Sequence, residues 1–248
     1  MTPVLLITGG SRGIGAATAQ LAAQAGYAVG LSYRQEAGAA AEVVRAIQAA
    51  DGRALAVQAD VGVDSDVERL FDAVQTEFGP ISGLVNNAGT LERQARVDEL
   101  DAARLTRILT TNVIGSFLCA GAAVRRMSTR HGGAGGVIVN VSSRAAVLGS
   151  GGEYVDYAAS KGAVDTLTVG LAREVAAEGI RVCGVRPGLI ETDIHALGGE
   201  PGRVARVAPS IPLGRGGTAE EVARAILWLL SDGASYVTGT LLDVSGGR

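Results

Sequence analysis

The sequence predicts an α/β protein built as a single doubly wound, seven-stranded parallel sheet flanked by helices. Three observations carry this. Short apolar runs alternate with longer helical patterns along the whole chain, the order that βαβ units produce. The runs are apolar throughout rather than alternating, as strands covered on both faces are. No linker-like change of composition divides the 248 residues, a length that suits one large domain.

The elements follow in order. "PVLLIT" (3–8) precedes the helical "GIGAATAQLAAQAG", and "YAVGLSY" (27–33) precedes "AGAAAEVVRAIQAADG". "RALAVQAD" (53–60) precedes "SDVERLFDAVQTEFG", with Asp64 and Ser65 placed to cap a helix beginning near Asp66. "ISGLVNNAG" (81–89) leads into a helical stretch reaching about residue 130, and "GGVIVNVSS" (135–143) into a helix over about 155–178. "IRVCGVRPG" (180–188) and "TLLDVSGG" (240–247) complete the strands. Gly26, Gly52, Gly79 and Gly179 stand where helices should stop. "HGGAGG" (131–136) reads as a mobile surface turn. The least regular segment, 189–217, reads as a lid over a site at the strand ends, or else as a long loop.

Composition excludes several classes. Apolar residues make up 47% and mean hydropathy is +0.27, but much of this is alanine. The apolar run "AILWLL" near the C-terminus is far short of the ~20 residues a membrane span needs. The opening "MTPVLLITGG" has no basic segment before its apolar run, so no signal peptide is expected. A formal charge of −3 with mixed signs argues against a nucleic-acid or anionic-membrane partner, and a soluble cytoplasmic protein is the expectation. Cys119 and Cys183 lie far apart in apolar surroundings and read as small buried hydrophobes. No metal site is expected: His131 and His195, the only histidines, have no partner at metal or triad spacing. They read as loop residues, His195 within the lid segment and within reach of a substrate there.

"TGGSRGIG" (8–15) lies between the first strand and the first helix. Gly9, Gly13 and Gly15 allow a tight turn and close backbone approach, and the helix N-terminus then offers free N–H groups to a pyrophosphate. The strand before and helix after are the context this motif requires. Its spacing, T-G-x-x-x-G-I-G, is joined in order by "NNAG", a "VSS" strand end, "YAASK" and "RPG". On these motifs together, over essentially the whole chain, the sequence resembles the short-chain dehydrogenase/reductase family, in the branch of 3-oxoacyl-carrier-protein reductases and sugar or steroid dehydrogenases. The resemblance implies a Rossmann-type fold over residues 1–248, a dinucleotide cofactor, and a small carbonyl or alcohol substrate. It assigns Ser11, Arg12 and Ile14 of the loop to the cofactor, Asp60 and Val61 to the adenine ring, and Asn87, Ala88 and Gly89 to the cofactor wall. Pro187 and Gly188 would shape the turn beside the nicotinamide, with Ile190 and Thr192 at its carboxamide. A plainer reading makes Asn86 and Asn87 turn residues that cap backbone groups.

The second strand ends in "LSYR", placing Tyr33 and Arg34 where an NAD-preferring site usually has a carboxylate. With Arg12 nearby and no Asp or Glu before Glu36, two guanidiniums suit a ribose 2′-phosphate, so NADP is expected over NAD.

"EYVDYAASK" (153–161) holds Tyr154, Tyr157 and Lys161. On a helix, positions four apart share a face, so Tyr157 and Lys161 meet while Tyr154 stands about two turns from the lysine. A phenol of pKa ~10 must fall about three units, or ~4 kcal/mol, to exchange protons near neutral pH. A neighbouring ammonium supplies part of that shift. Tyr157 is therefore the acid/base, and Tyr154 lines the substrate mouth or packs on the surface. Lys161 can also hold the cofactor ribose. The resemblance adds a serine at the end of the fifth strand. "NVSS" offers Ser142 and Ser143, which strand alternation points to opposite faces. The motif matches Ser143, which would donate to the substrate oxygen. Its distance from Tyr157 is one residue longer than the commoner family spacing. Asn112, in "TTNVIG", resembles the family asparagine that holds a water beside the lysine, and otherwise reads as a core asparagine bonded to backbone.

The expected activity is NADPH-dependent reduction of a carbonyl to an alcohol, or the reverse. The alternative is a dinucleotide-sensing or scaffold protein on the same fold, but such members tend to lose the tyrosine or lysine. Epimerisation or dehydration belongs to a longer branch with a sizeable substrate domain. "AILWLL" and "SYVTGTLLDVSGG" resemble the part through which family members assemble, and a homotetramer is expected.

Overall fold

In a computed structural model, which describes residues 2–248, seven strands form one parallel sheet. They are β1 (Val4–Ile7), β2 (Ala28–Tyr33), β3 (Arg53–Gln58), β4 (Gly83–Asn86), β5 (Gly136–Val141), β6 (Ile180–Pro187) and β7 (Leu241–Val244). Their order is β3-β2-β1-β4-β5-β6-β7, and every paired neighbour is parallel. All strands therefore end on one edge, and the winding reverses between β1 and β4, where a crevice opens at the carboxyl ends.

Strand alternation sends successive residues to opposite faces, and both faces are covered. Val4, Leu6, Leu84 and Ile138 pack beneath α3 (Asp64–Phe78), α5 (Gly115–Met127) and α7 (Val155–Val175), around Phe71 and Leu70. Leu5, Ile7, Val85 and Val139 pack beneath α1 (Gly13–Gln24), α2 (Ala37–Ala49) and α10 (Ala219–Leu230). Each such fully buried side chain contributes about 1.5–3 kcal/mol of transfer free energy. Cys119 and Cys183 are free and buried, and burial pushes the Cys119 thiol up to about 12.

Several local expectations need correction. The third helix begins at Asp64 with Val63 as its cap residue, and Asp66 accepts from the Asp60 backbone N–H at 2.9 Å. After α2 the left-handed position falls on Asp51 (φ 59) rather than Gly52. Gly52 is needed for space, because a Cβ there would lie 2.7 Å from Ile47 Cγ2. The loop at 131–136 is tightly packed: a Cβ at Gly133 would lie 2.3 Å from the Met127 carbonyl oxygen. Finally, α4 (Ala102–Leu109), a π-turn (Thr110–Ile114) and α5 join into one helical run, Ala102–Met127. At 26 residues and a hydropathy of 1.4 in its most apolar window, this run is long and apolar enough to cross a membrane, which "AILWLL" is not. Here it packs on α3, α7 and β4, and the start of α5 presses on the β3 exit, where a Cβ at Gly115 would lie 2.6 Å from Val61 Cγ2.

Segment 189–217 is more ordered than a loop. It holds two short helices, α8 (Ile194–Leu197) and α9 (Arg203–Val207), and its own apolar cluster of Leu189, Val207 and Ile211.

Candidate active site

A cleft of ≈ 490 Å³ lies along the carboxyl ends of the strands and under segment 189–217. One end is built by the glycine loop. Gly9 (φ 62) and Gly13 (φ 52) occupy backbone conformations that side chains disfavour. Gly15 sits beneath them and outside the cleft, where a Cβ would meet the Gly9 carbonyl oxygen at 2.4 Å. The loop is tied at its base to the end of the neighbouring strand β4. Asn87 donates from Nδ2 to the carbonyls of Thr8 and Gly9, both at 2.9 Å. Thr8 Oγ1 accepts from the backbone N–H groups of Asn87 and Ala88, each at 3.0 Å. The capping reading of Asn87 is thus realised as the tie between β1 and β4. Asn86 turns inward, donating to Ser116 O at 3.1 Å and Asn140 Oδ1 at 3.0 Å. Helix α1 then begins with no side-chain cap on its first turn, and Ser11, Arg12, Gly13 and Ile14 face the cleft. Free N–H groups at an uncapped helix start suit a pyrophosphate.

Tyr33, Arg34, Asp60 and Val61 line the far end of the same cleft. Arg12 and Arg34 are both exposed, but Arg34 Nη1 stands 3.9 Å from Asp60 Oδ2, and Glu36 also lines the wall. The positive pair is therefore partly answered by carboxylates. Ala88 and Gly89 form the opposite wall, and Pro187, Gly188, Ile190 and Thr192 the near end. Gly188 must be small, since a Cβ would lie 2.8 Å from Ser245 Cα. Thr192 reaches back over the glycine loop, its Cγ2 being 3.2 Å from where a Gly13 Cβ would be.

Tyr157 and Lys161 meet in the middle of the cleft, the Nζ 5.7 Å from the centre of the phenol ring. Ser143 hydrogen-bonds with Tyr157 and Ser142 does not: Ser142 Oγ donates to Asp165 Oδ1 at 2.5 Å. The alternation expected at the end of β5 thus persists over the two residues after the strand. Lys161 is the only lysine; the other 21 of the 22 cationic Lys and Arg residues are arginines. It is buried and donates to Val141 O at 2.8 Å. Burial lowers its ammonium to about 8, with Asp165 opposing the fall. The expected drop of the Tyr157 phenol is absent in this structure. Burial pushes it up, and only the Ser143 hydrogen bond pulls the other way.

Asn112 lies behind the cleft, fully buried in the π-turn. Both its amide hydrogens are in use, to Thr90 O and Ser160 Oγ at 3.0 Å each, and its Oδ1 accepts from Thr90 N–H at 2.7 Å. The side chain therefore braces the Gly89–Thr90 turn, as the backbone-bonding reading expects. Tyr154 is buried and lines the cleft, with its hydroxyl donating to Gly198 O at 3.1 Å, so the surface reading is set aside. His195 also lines the cleft and its Nε2 meets Ile190 O at 2.9 Å, while His131 is exposed elsewhere. Among the described residues no group of three or more His, Cys, Asp or Glu could hold a metal.

Sequence reasoning missed Thr8 and Ser32, whose Oγ accepts from Gly9 N–H at 3.1 Å. It also missed Arg203, which lies under the lid segment and lines the cleft. Only the T of the "TG" pair carried a local signal for any of these.

A family model described as Enoyl-(Acyl carrier protein) reductase matches residues 9–248. The chain is 58% identical to an uncharacterized oxidoreductase, YgfF, of Escherichia coli over 99% of both chains. It is 43% identical to cis-4-hydroxycyclohexanecarboxylate dehydrogenase of Sinomonas cyclohexanicum, covering 98% of this chain and 95% of that one. Among solved structures, a short chain dehydrogenase from Burkholderia cenocepacia in complex with NADP superposes with a TM-score of 0.91 at 34% identity, over 100% of this chain and 98% of that one. A 3-ketoacyl-(acyl-carrier-protein) reductase from Brucella melitensis, complexed with NADH, gives 0.91 at 33% over 99% and 98%.

Proposed function

The chain belongs to the short-chain dehydrogenase/reductase family of oxidoreductases, and from that premise we propose that it reduces a carbonyl compound to an alcohol with NADPH, or runs the reverse reaction. One observation supports this most. Tyr157, Ser143 and Lys161 converge in the same cleft whose other end is an uncapped helix N-terminus behind left-handed glycines. The donor set there fits a dinucleotide: free N–H groups for the pyrophosphate, Asp60 and Val61 at the adenine end, Asn87, Ala88 and Gly89 along the wall, and Pro187 to Thr192 at the nicotinamide end.

When bound, the reduced nicotinamide supplies a hydride. The chain's own residues handle the proton and the geometry. Tyr157 gives its hydroxyl proton to the substrate oxygen, and Ser143 donates to that same oxygen as charge develops. Lys161, held by Val141 O, stands beside the phenol and favours its ionised form when protonated. Segment 189–217 acts as the lid, and Tyr154, Leu91 and Leu197 offer the substrate an apolar wall.

NADP is favoured over NAD because Arg12 and Arg34 face the place of the ribose, although Asp60 and Glu36 dilute that charge. Replacing both arginines by Ala should lower the NADP-to-NAD preference by roughly tenfold or more, as the loss of one charge-assisted hydrogen bond would. An unchanged ratio of kcat/KM values would remove the cofactor assignment.

The activity itself is tested by following NADPH oxidation against ketones, β-ketoacyl thioesters, diketones and sugars. Tyr157→Phe should reduce turnover by roughly 10²–10⁴-fold while cofactor binding persists. Turnover that survives in the Phe variant would overturn the mechanism.

A further inference from the structure

Three consecutive residues at the end of β5 are bonded to α7, and Ser142 Oγ lies 3.2 Å from Lys161 O as well as meeting Asp165. Val141 O accepts from Lys161 Nζ at 2.8 Å, Ser142 Oγ donates to Asp165 Oδ1 at 2.5 Å, and Ser143 hydrogen-bonds with Tyr157. The middle partner, Asp165, lies on α7 one turn after Lys161 and outside the cleft. Its other oxygen accepts from Arg186 Nε at 3.0 Å and from Nη2 at 2.9 Å. Both side chains are largely buried, 12% and 19% exposed. Arg186 continues to Asp243 at 3.7 Å, and Asp243 accepts from Arg144 Nη1 at 2.6 Å. One carboxylate thus joins α7 to the ends of β5 and β6, and through Arg186 to β7.

We infer that Asp165 is a positioning residue for the proposed reaction: it locks Ser142, so that Val141 and Ser143 face Lys161 and Tyr157, and it keeps the only lysine charged. The inference rests on the proposed function for its catalytic half, and for its charge half on the place of Asp165 four residues after Lys161 on one helix, where side chains share a face. A slip of this segment by one residue would turn Ser143 away from Tyr157 and offer Ser142 instead, since neighbours here point to opposite sides. Both serines line the cleft, and the Ser142–Asp165 bond fixes which of them meets Tyr157. The charge half follows from the surroundings of Lys161. Burial works against its ammonium, and Asp165 is the charged group that opposes this. Tyr157 on the same helix lies beside the ammonium, and Asp165 is itself paired with Arg186 on β6, which continues to Asp243 on β7 and from there to Arg144.

A single lysine makes the test direct. Protein labelled with [ε-¹³C]lysine gives one side-chain resonance, and its pH titration reports Lys161 whether or not a substrate is known. Asp165→Asn should move the midpoint to lower pH by roughly half a unit or more, while Asp165→Glu, which keeps the charge, should leave it near wild type. Ser142→Ala should leave the midpoint unmoved and lower kcat roughly tenfold or more, because only the geometry is disturbed. A midpoint in Asp165→Asn equal to wild type overturns the charge half. Full kcat in Ser142→Ala overturns the positioning half, and it does so even if Asp165→Asn fails to fold. Loss of turnover in Tyr157→Phe together with wild-type behaviour of both other variants would sink this inference and leave the proposed function standing. A midpoint shift in a protein that reduces no carbonyl would do the opposite.

Discussion

Lys161 shows what one residue is chosen for. Arginine carries the positive charge at all other cationic positions, where permanent charge and forked hydrogen bonding are enough. An ammonium can be shifted by burial, here to about 8, and a guanidinium cannot. Lys161→Arg should therefore keep a positive charge and still lose turnover by roughly hundredfold or more, in line with the scale of general acid–base catalysis. Steady-state kcat with cofactor saturating checks this; near-normal kcat would mean that charge alone suffices. His195 makes a second residue-scale case. Burial lowers its value, with Ile190 O and Glu200 pulling up and Arg203 pushing down. The folded state thus prefers the neutral ring. Its stabilising share is complete above the ordinary value of ~6.5 and is lost as pH falls through that value towards the lower folded one. His195→Gln, which keeps a donor towards Ile190 O but cannot titrate, should flatten that acid limb in a plot of Tm against pH. Tyr157 and Lys161 were legible in the sequence because a helix repeat relates them. Thr8, Ser32 and Asp165 were not, because their partners are 77, 23 and 23 residues away and meet only when strands pair or, for Asp165, when α7 packs on the end of β5.

At the scale of elements, the lid segment is the part least readable from sequence, and the structure ties it by ion pairs and hydrogen bonds. Glycine and proline in "GGEPG" and "PLGRGG" signalled irregularity but not the two short helices between them. Those helices are placed by tertiary contacts. Arg203 pairs with Glu153, ahead of α7, and with Glu200 at 3.0 Å, and it stacks 4.9 Å from the Tyr154 ring. Gln94 donates to Glu200 at 2.8 Å from the loop after β4. Gly198 permits the approach, since a Cβ would meet Tyr154 Oη at 2.6 Å. Arg203 is only 10% exposed, so removing its charge leaves Glu153 and Glu200 only the exposed Arg206 to share at the cleft mouth. Arg203→Met keeps the apolar stem over Tyr154 and deletes the charge. Amide exchange across 194–207 should then quicken by roughly tenfold, a change that asks only ~1.4 kcal/mol of the network. Exchange unchanged from wild type would show that the Arg203 charge is not what closes the lid, leaving that to Arg206 and the apolar cluster of Leu189, Val207 and Ile211. The strands, by contrast, were legible almost to their ends, because burial on both faces writes a continuous apolar run into each central one.

The whole molecule raises the question of what covers its remaining apolar surface. Sequence likeness pointed to the C-terminal part, and the structure does expose Trp228 (46%) and Tyr236 (103%) there. It exposes more on the joined helix Ala102–Met127, where Leu109, Ile114 and Phe117 are 40%, 48% and 52% exposed, with Leu105 beside them. Periodicity alone could not show this face, since an apolar position on a helix looks the same whether the sheet or another surface covers it. The run has the length and hydropathy of a membrane span, but it also carries Arg104 and Arg107 near one end and Arg125 and Arg126 near the other. Arg104 closes on Asp156 at 2.7 Å, and Arg126 on Asp72 at 2.6 Å, so the outer face is apolar only in the middle. Such a patch, rimmed by ion pairs, suits contact between protein copies. With Trp228 and Tyr236 as a second patch, two separate surfaces are available, which is what a tetramer of dyad symmetry requires. Light scattering at micromolar concentration should give four times the 25.0 kDa chain mass. Phe117→Glu should then halve the assembly by closing one surface, and Trp228→Glu should do so by closing the other. A monomer in the unsubstituted protein would refute the assembly, and a tetramer that survives Phe117→Glu would place the contact elsewhere.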